Sequence, residues 1–325
     1  MNHINVILKL FSLLGVVSTA FAGERPNIVI VMVDDLGYSD IGCYGGEINT
    51  PNLDALAQGG MRFRQFYNTG KCHSSRVTLL SGLHSYQAGN AEEDGSVKLH
   101  NGNVARGVSI AQVLCSAGYY TAISGKWHIS PEPRALGFDR FFGFLAGYIR
   151  DYFASEKLQL DGHGYVGREG YITDLITNHG IEFIEEAHDQ KKPFLLYLPY
   201  NAPHYPLQAP QEEIDKYIGR YDQGWLAVRE RRLQKMRALG LVGKDWIPAS
   251  SKEVKLREWN ALSEDDRKYQ DLLMATYAGM VDRIDQNIGK LVRKLKELGQ
   301  YDNTLIIFFS ENGACEATML REREM

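Results

Sequence analysis

Asn27-Ile28-Val29-Ile30-Val31-Met32-Val33 is a continuous apolar, mostly β-branched run. A run without polar alternation predicts a strand covered on both faces, as in a parallel sheet. Phe194 to Leu198 and Thr304 to Ser310 predict buried strands of the same kind, and Tyr119 to Ser124 a further one. Between these runs the apolar spacing switches to the helical period. Thr50-Pro51 predicts a helix start, with Thr as N-cap and Pro in the first turn. Leu53, Leu56 and Ala57 share one face of that helix, and Gly59-Gly60 ends it. Ile110 to Ala117, closed by Gly118, and Thr173 to Ala187 predict two more helices. From Tyr269 to Leu298, Leu273, Tyr277, Met280, Ile284, Ile288, Leu291, Leu295 and Leu298 recur every three or four residues, the stripe of a long helix laid on a sheet. Strands alternating with helices predict an α/β fold, a three-layer sandwich around a large, mainly parallel central sheet. The charged segment from Gln211 to Trp259, with Arg229 to Arg232, Lys235 and Arg237, reads as a surface insertion with a solvated basic face.

Composition narrows the class. The 325 residues are 44% hydrophobic and 23% charged, with a net charge of −4, which is ordinary for a globular protein and gives no basic excess for nucleic acid. Lys9 precedes an apolar run, Leu10 to Ala22, that ends in Ala20-Phe21-Ala22. This pattern predicts a secretory signal peptide over residues 1–22 and a mature chain over 23–325, exported to the periplasm or secreted. The run is short for a membrane span, and no later stretch is apolar enough. Cys43, Cys72, Cys115 and Cys315 are widely spaced without a C-x-x-C pair, so neither a disulfide scaffold nor a zinc site is expected. One disulfide among Cys43, Cys115 and Cys315 is compatible with this spacing.

Candidate chemistry gathers where strands end. Cys72-His73-Ser74-Ser75-Arg76, followed by Leu79-Leu80-Ser81-Gly82, sets a cysteine at a helix start one turn before an arginine. Both features favour a thiolate; a small buried cysteine is the alternative. Asp34 and Asp35 follow the first strand, and Glu311 and Asn312 follow the last. Ligands collect beyond the carboxyl ends of strands in open α/β sheets. Three carboxylates and an amide oxygen converging there make an oxygen-only site for a hard cation, with Ca2+ more tolerant of geometry than Mg2+. Helix caps and turn residues are the alternative reading of both pairs. Lys126 and His128 lie just past the strand beginning at Tyr119, and His204 just past the strand ending near Leu198. Together with Arg76, these cations suit a multiply oxygenated anion whose leaving oxygen needs a proton.

The ordered set of motifs resembles the type I sulfatases, specifically the bacterial arylsulfatase-like members of the alkaline phosphatase superfamily. It comprises Arg25-Pro26-Asn27-Ile28-Val29, Asp34-Asp35-Leu36-Gly37, Thr50-Pro51-Asn52-Leu53-Asp54, Cys72 to Gly82, and Gly118-Tyr119-Tyr120-Thr121 leading to Gly125-Lys126-Trp127-His128. Gly137-Phe138-Asp139, Ala202-Pro203-His204, and Asp302-Asn303-Thr304 leading to Glu311-Asn312-Gly313 complete it. The resemblance implies that a maturation enzyme oxidises Cys72 to formylglycine, whose hydrated aldehyde attacks sulfur, expels the alcohol or phenol, and then eliminates sulfate. It implies one Ca2+ held by Asp34, Asp35, Glu311, Asn312 and the modified Cys72. Arg76 would fix the modified side chain, Lys126 and His204 would bind sulfate and support the leaving oxygen, and His128 would assist elimination. The substrate would be an aryl or carbohydrate sulfate ester.

Three departures from the family pattern accompany it. Ser74 stands where the modification signal carries Pro or Ala, and Glu311 where the metal pair is usually Asp-Asn. The family also continues into a smaller C-terminal subdomain with a second active-site lysine, whereas no lysine follows Lys296 here. The sequence is therefore expected to lack that subdomain. Two other functions are kept in view: hydrolysis of phosphodiesters or phosphonate monoesters, and a catalytically silent binding protein.

Overall fold

A computed structural model describes residues 25–89, 104, 107–153, 157–165, 169–250, 252–253 and 257–315. The proposed signal peptide lies outside them. The described chain runs β1 (Asn27–Val33), α1 (Pro51–Gly59), α2 (Cys72–Ser81), α3 (Ser85–Ala88) and α4 (Ile110–Ser116). It continues with β2 (Tyr120–Lys126), β3 (Arg140–Phe144), β4 (Gln159–Leu160), β5 (His163–Gly164) and α5 (Ile172–Asp189). The last elements are β6 (Phe194–Pro199), α6 (Gln211–Asp215), α7 (Trp225–Ala238), α8 (Glu264–Glu297) and β7 (Thr304–Ser310).

The strands form one seven-stranded sheet in the order β5-β4-β3-β2-β6-β1-β7. β3, β2, β6, β1 and β7 are mutually parallel, and only the two-residue β4 and β5 run antiparallel. Alternate residues of the central strands feed two cores. Val29, Val31, Val33, Leu196 and Leu198 pack with buried residues of α1, α5, α6 and α8. Ile30, Met32, Ile123, Leu195 and Tyr197 pack with Val77 and Leu80 of α2 and Ala111 of α4. This is the expected three-layer α/β sandwich, and burial on both faces explains the unbroken apolar runs. Among the described residues no helix is long and apolar enough to cross a membrane.

Three expectations need correction. β7 is an edge strand rather than a buried one: it pairs with β1 alone, and Leu305 and Ile307 are 53% and 37% exposed. Thr50 does not cap α1; its hydroxyl receives Gly42 N–H at 2.8 Å. The first N–H groups of α1 donate instead to Asp285 of α8, at 3.2 Å from Asn52 and 2.8 Å from Leu53, while Asn52 Nδ2 adds a third bond at 2.7 Å. The basic segment is only partly solvated, because Arg232 of α7 is drawn in to ion-pair with Asp40 and with Glu47 at 2.6 Å. None of the four cysteines is in a disulfide.

Asp285→Ala orphans these buried donors, and loss of a cap together with unpaired N–H groups costs about 2 kcal/mol. Urea denaturation of the variant and the parent measures the difference. A change below about 0.5 kcal/mol, the size of an ordinary surface substitution, contradicts this role.

Candidate active site

Because the five long strands are parallel, their carboxyl ends share one edge of the sheet, and the chemistry lies there. Gly125 sets up the delivery of Lys126. A Cβ at Gly125 would fall 2.1 Å from the Pro199 carbonyl oxygen, so only glycine lets β2 lie this close to β6. Lys126, fully buried at the end of β2, donates to Asp34 Oδ2 beyond β1 and stands 3.7 Å from Glu311 Oε1 beyond β7. Arg76, on the second turn of α2, is also fully buried; its Nε lies 2.7 Å from Glu311 Oε2, and its Nη1 donates to the Lys126 carbonyl at 2.5 Å. Burial works against the guanidinium charge, but Glu311 with Tyr197 and Asp34 more than offsets it and raises the Arg76 pKa. The arginine expected to steady Cys72 is thus bonded first to Glu311.

The structure brings together all the residues singled out from the strand ends. Asp35, with φ of +65°, turns its carboxylate to accept from Asn312 Nδ2, and its Oδ2 lies 3.6 Å from His204 Nε2. His128 is a second non-glycine residue in the left-handed region, at φ +62°. Such strained backbone concentrates at functional sites. Burial, with Lys126 and Arg76 nearby, lowers the His128 pKa to about 3, so its imidazole is neutral at ordinary pH. Cys72 opens α2 and is half-buried. Burial raises its thiol pKa; Glu311 and Asp34 add to that, and Lys126 and Arg76 oppose it. The expected thiolate is therefore corrected to a protonated thiol, because two carboxylates and desolvation outweigh the helix start and the arginine.

Several contributors escaped sequence reasoning. Ser75 Oγ donates to the Glu311 carbonyl at 2.7 Å, and Asn68 Nδ2 reaches the Ser310 carbonyl at 3.3 Å, tying the Cys72 helix to the end of β7. Tyr277, read only as one member of the α8 stripe, donates to Asp40 and contacts the Asp35 carbonyl at 3.3 Å, which fixes the turn after β1. Asn201 is buried just beyond β6, and neither atom of its amide has a hydrogen-bond partner. An asparagine beside the Ala202-Pro203-His204 motif was the available signal.

Asp34 Oδ1 and both Glu311 carboxylate oxygens are buried without a well-aligned hydrogen bond. Burial pushes the Glu311 carboxyl up to about 7 against the pull of Arg76, and the Asp34 carboxylate adds to the rise. Asp34 Oδ1 has no partner, while the Glu311 oxygens meet only the ion-pair contacts of Arg76 and Lys126, and carboxylates gathered beside one another in this way suit a shared hard cation. Asp35 and the Asn312 amide border the same place. An oxygen-ligated divalent ion fits these residues.

In metal-free protein the sign of the pH dependence follows from Glu311. The folded state keeps a proton that the unfolded chain releases above 4.5, so the site contributes most below that pH and loses stability up to about 7. Denaturant melts across that range, compared between the parent and Glu311→Gln, isolate the effect. The parent is expected to lose about 2–3 kcal/mol relative to the variant as pH rises; parallel pH profiles contradict the arrangement.

The sulfatase family model matches residues 26–318 of this chain. An uncharacterized sulfatase of Schizosaccharomyces pombe is 34% identical over 322 residues, covering 90% of this chain and 58% of the relative. The arylsulfatase of Klebsiella aerogenes is 34% identical over 318 residues, covering 90% of this chain and 67% of the relative. Among solved structures, Ps i-CgsB in complex with k-i-k-neocarrahexaose superposes with a TM-score of 0.65 at 30% identity, covering 90% of this chain and 59% of that one. The chain thus spans roughly three fifths to two thirds of the length of these relatives.

Proposed function

The chain belongs to the sulfatase family, and on that premise we propose that it hydrolyses sulfate esters, aryl or carbohydrate, with Cys72 as the precursor of the nucleophile. The observation that carries the reading is the placement of Cys72 within the electrostatic reach of Asp34, Glu311, Lys126 and Arg76 at the carboxyl edge of the sheet. The arylsulfatase of the Klebsiella relative and the oligosaccharide bound to Ps i-CgsB support the two substrate classes. Asp34, Asp35, Glu311 and Asn312 would hold Ca2+, with the modified Cys72 completing the set. Glu311 supplies the longer carboxylate in place of the family's Asp. When present, the ion neutralises sulfate oxygens, and a formylglycine made from Cys72 by a maturation enzyme supplies a hydrated-aldehyde oxygen as nucleophile.

The remaining work falls to side chains whose positions are given above. With all three carboxylates ionised around a divalent cation, Lys126, Arg76 and the ion would leave the site one formal positive charge toward a sulfate ester. Lys126 is locked between Asp34 and Glu311 and so aims a fixed positive charge at the edge where an anion enters. His204 is half-exposed and 3.6 Å from Asp35, placed to meet a leaving oxygen from the open side. His128 offers a half-buried, neutral imidazole with a ligand nitrogen within 4.8 Å of the Cys72 sulfur, able to take a proton from a group at that position. Trp127, next along the chain from Lys126, and Tyr197, in the core beneath the sheet edge, are both almost fully buried. The signal-like N-terminus supports export, where sulfated polymers are met outside the cytoplasm.

The test is the full chain co-produced with a formylglycine-generating enzyme. Conversion is read from the Cys72 peptide, in which one oxygen replaces the sulfur, the thiol hydrogen and one β-carbon hydrogen. The matured protein is expected to release sulfate from aryl or sugar sulfates faster than phosphate from phosphodiesters or phosphonate monoesters. His204→Ala is expected to lower kcat/KM at least about 100-fold. Faster phosphodiester turnover overturns the substrate assignment, and a converted protein inert toward every sulfate ester overturns the function.

A further inference from the structure

Cys72 faces a second set of donors, unlike the carboxylates. One ligand atom from each of Cys72, His73 and His128 lies within 4.8 Å of the other two. The His73 and His128 rings meet edge to face, with centroids 5.8 Å apart. His128 Nδ1 is buried and has no hydrogen-bond partner. Its Nε2 edge occupies the space left by Gly147, where a Cβ would come within 2.4 Å. The imidazole therefore sits in a recess shaped for it, with one nitrogen uncommitted.

A thiol and two imidazoles are the donors of a borderline-soft ion, not of Ca2+. Zn–S and Zn–N bonds in a tetrahedral site set ligand atoms about 3.5 Å apart, so side-chain rotations of about 1 Å close the observed triangle around a cation. Sequence spacing gave no sign of this site, since His128 lies on the loop beyond β2 and reaches Cys72 only through the fold. We propose that the unmodified chain binds a Zn2+-class cation through Cys72, His73 and His128, leaving a fourth position for water. Binding exchanges the thiol proton for the metal: a sulfur–metal bond forms, the S–H bond breaks, and the proton passes to solvent.

This site belongs to the chain as translated and is lost once Cys72 is oxidised. Its two imidazoles distinguish it from the oxygen site at Asp34, Asp35 and Glu311, to which residue 72 would contribute only after modification. Its consequence is competition, because the sulfur that holds the metal is the one that modification must consume. A Zn2+-loaded thiol is shielded from alkylation and from conversion.

The experiment uses the full chain produced without a maturation enzyme, reduced, stripped of metal, and kept in excess Ca2+ to fill the oxygen site. Titration with Co2+ is expected to give a thiolate-to-cobalt charge-transfer band that saturates at one ion per chain and is abolished by Zn2+. Cys72→Ser, half-buried and nearly isosteric, is expected to keep the parent's circular dichroism and lose the band. His128→Gln is expected to keep the cysteine but weaken Zn2+ binding at least about tenfold. Absence of the band in the parent, its survival in Cys72→Ser, or unchanged affinity in His128→Gln overturns the proposal.

Discussion

Two carboxylates and two cations buried at one edge of a sheet are the constraint around which the molecule is arranged. Asp34, Glu311, Lys126 and Arg76 are each fully withdrawn from solvent. Isolated charges cannot be buried without several kcal/mol of desolvation each, so each must find its counterpart. The strand order supplies the pairs. β1 is flanked by β6 and β7, and β2 lies just beyond β6, so a long lysine from β2 spans the gap to the end of β1. Parallel strands make this possible, because an antiparallel neighbour would send its last residue to the opposite edge.

The pairing remains incomplete, and that incompleteness links structure to chemistry. Lys126 and Arg76 satisfy part of the carboxylate capacity as ion pairs, while Asp34 Oδ1 has no partner and neither Glu311 oxygen accepts a hydrogen bond. A purely structural cluster would leave no such remainder. The same unbalanced field acts on its neighbours in opposite directions: the carboxylates and burial keep Cys72 protonated, and the cations and burial keep His128 neutral. One short edge thus holds a hard-oxygen set beside a sulfur–nitrogen set.

Much of this was legible in the chain. The unbroken apolar runs at Asn27 to Val33 and Phe194 to Leu198 are covered strands, and the polar residues following them do converge. The stripe from Tyr269 to Leu298 is the long helix α8. What escaped depends on contacts between residues distant in sequence. Asp285 lies off the apolar stripe of α8 and drew no reading, yet it caps α1 across 233 residues. Thr50-Pro51 has the local form of a cap, but the Gly42 N–H claims the threonine hydroxyl. β7 is as apolar as β1, and composition alone does not reveal that one strand lies inside the sheet and the other at its edge. Arg76 follows Cys72 by one turn, which suggested a partnership, but a carboxylate 235 residues away binds it more directly.

A cation joining Asp34 to Glu311 is the central element of the proposed site, and a diffraction experiment on crystals of the full chain grown with Ca2+ addresses it directly. The expected result is one ion between Asp34 Oδ1 and the Glu311 carboxylate, bounded by Asp35 and the Asn312 amide oxygen, with about six to eight oxygen ligands. Density showing Asp34 and Glu311 joined by a shared proton at near-neutral pH, with Ca2+ in excess and no ion between them, would contradict it.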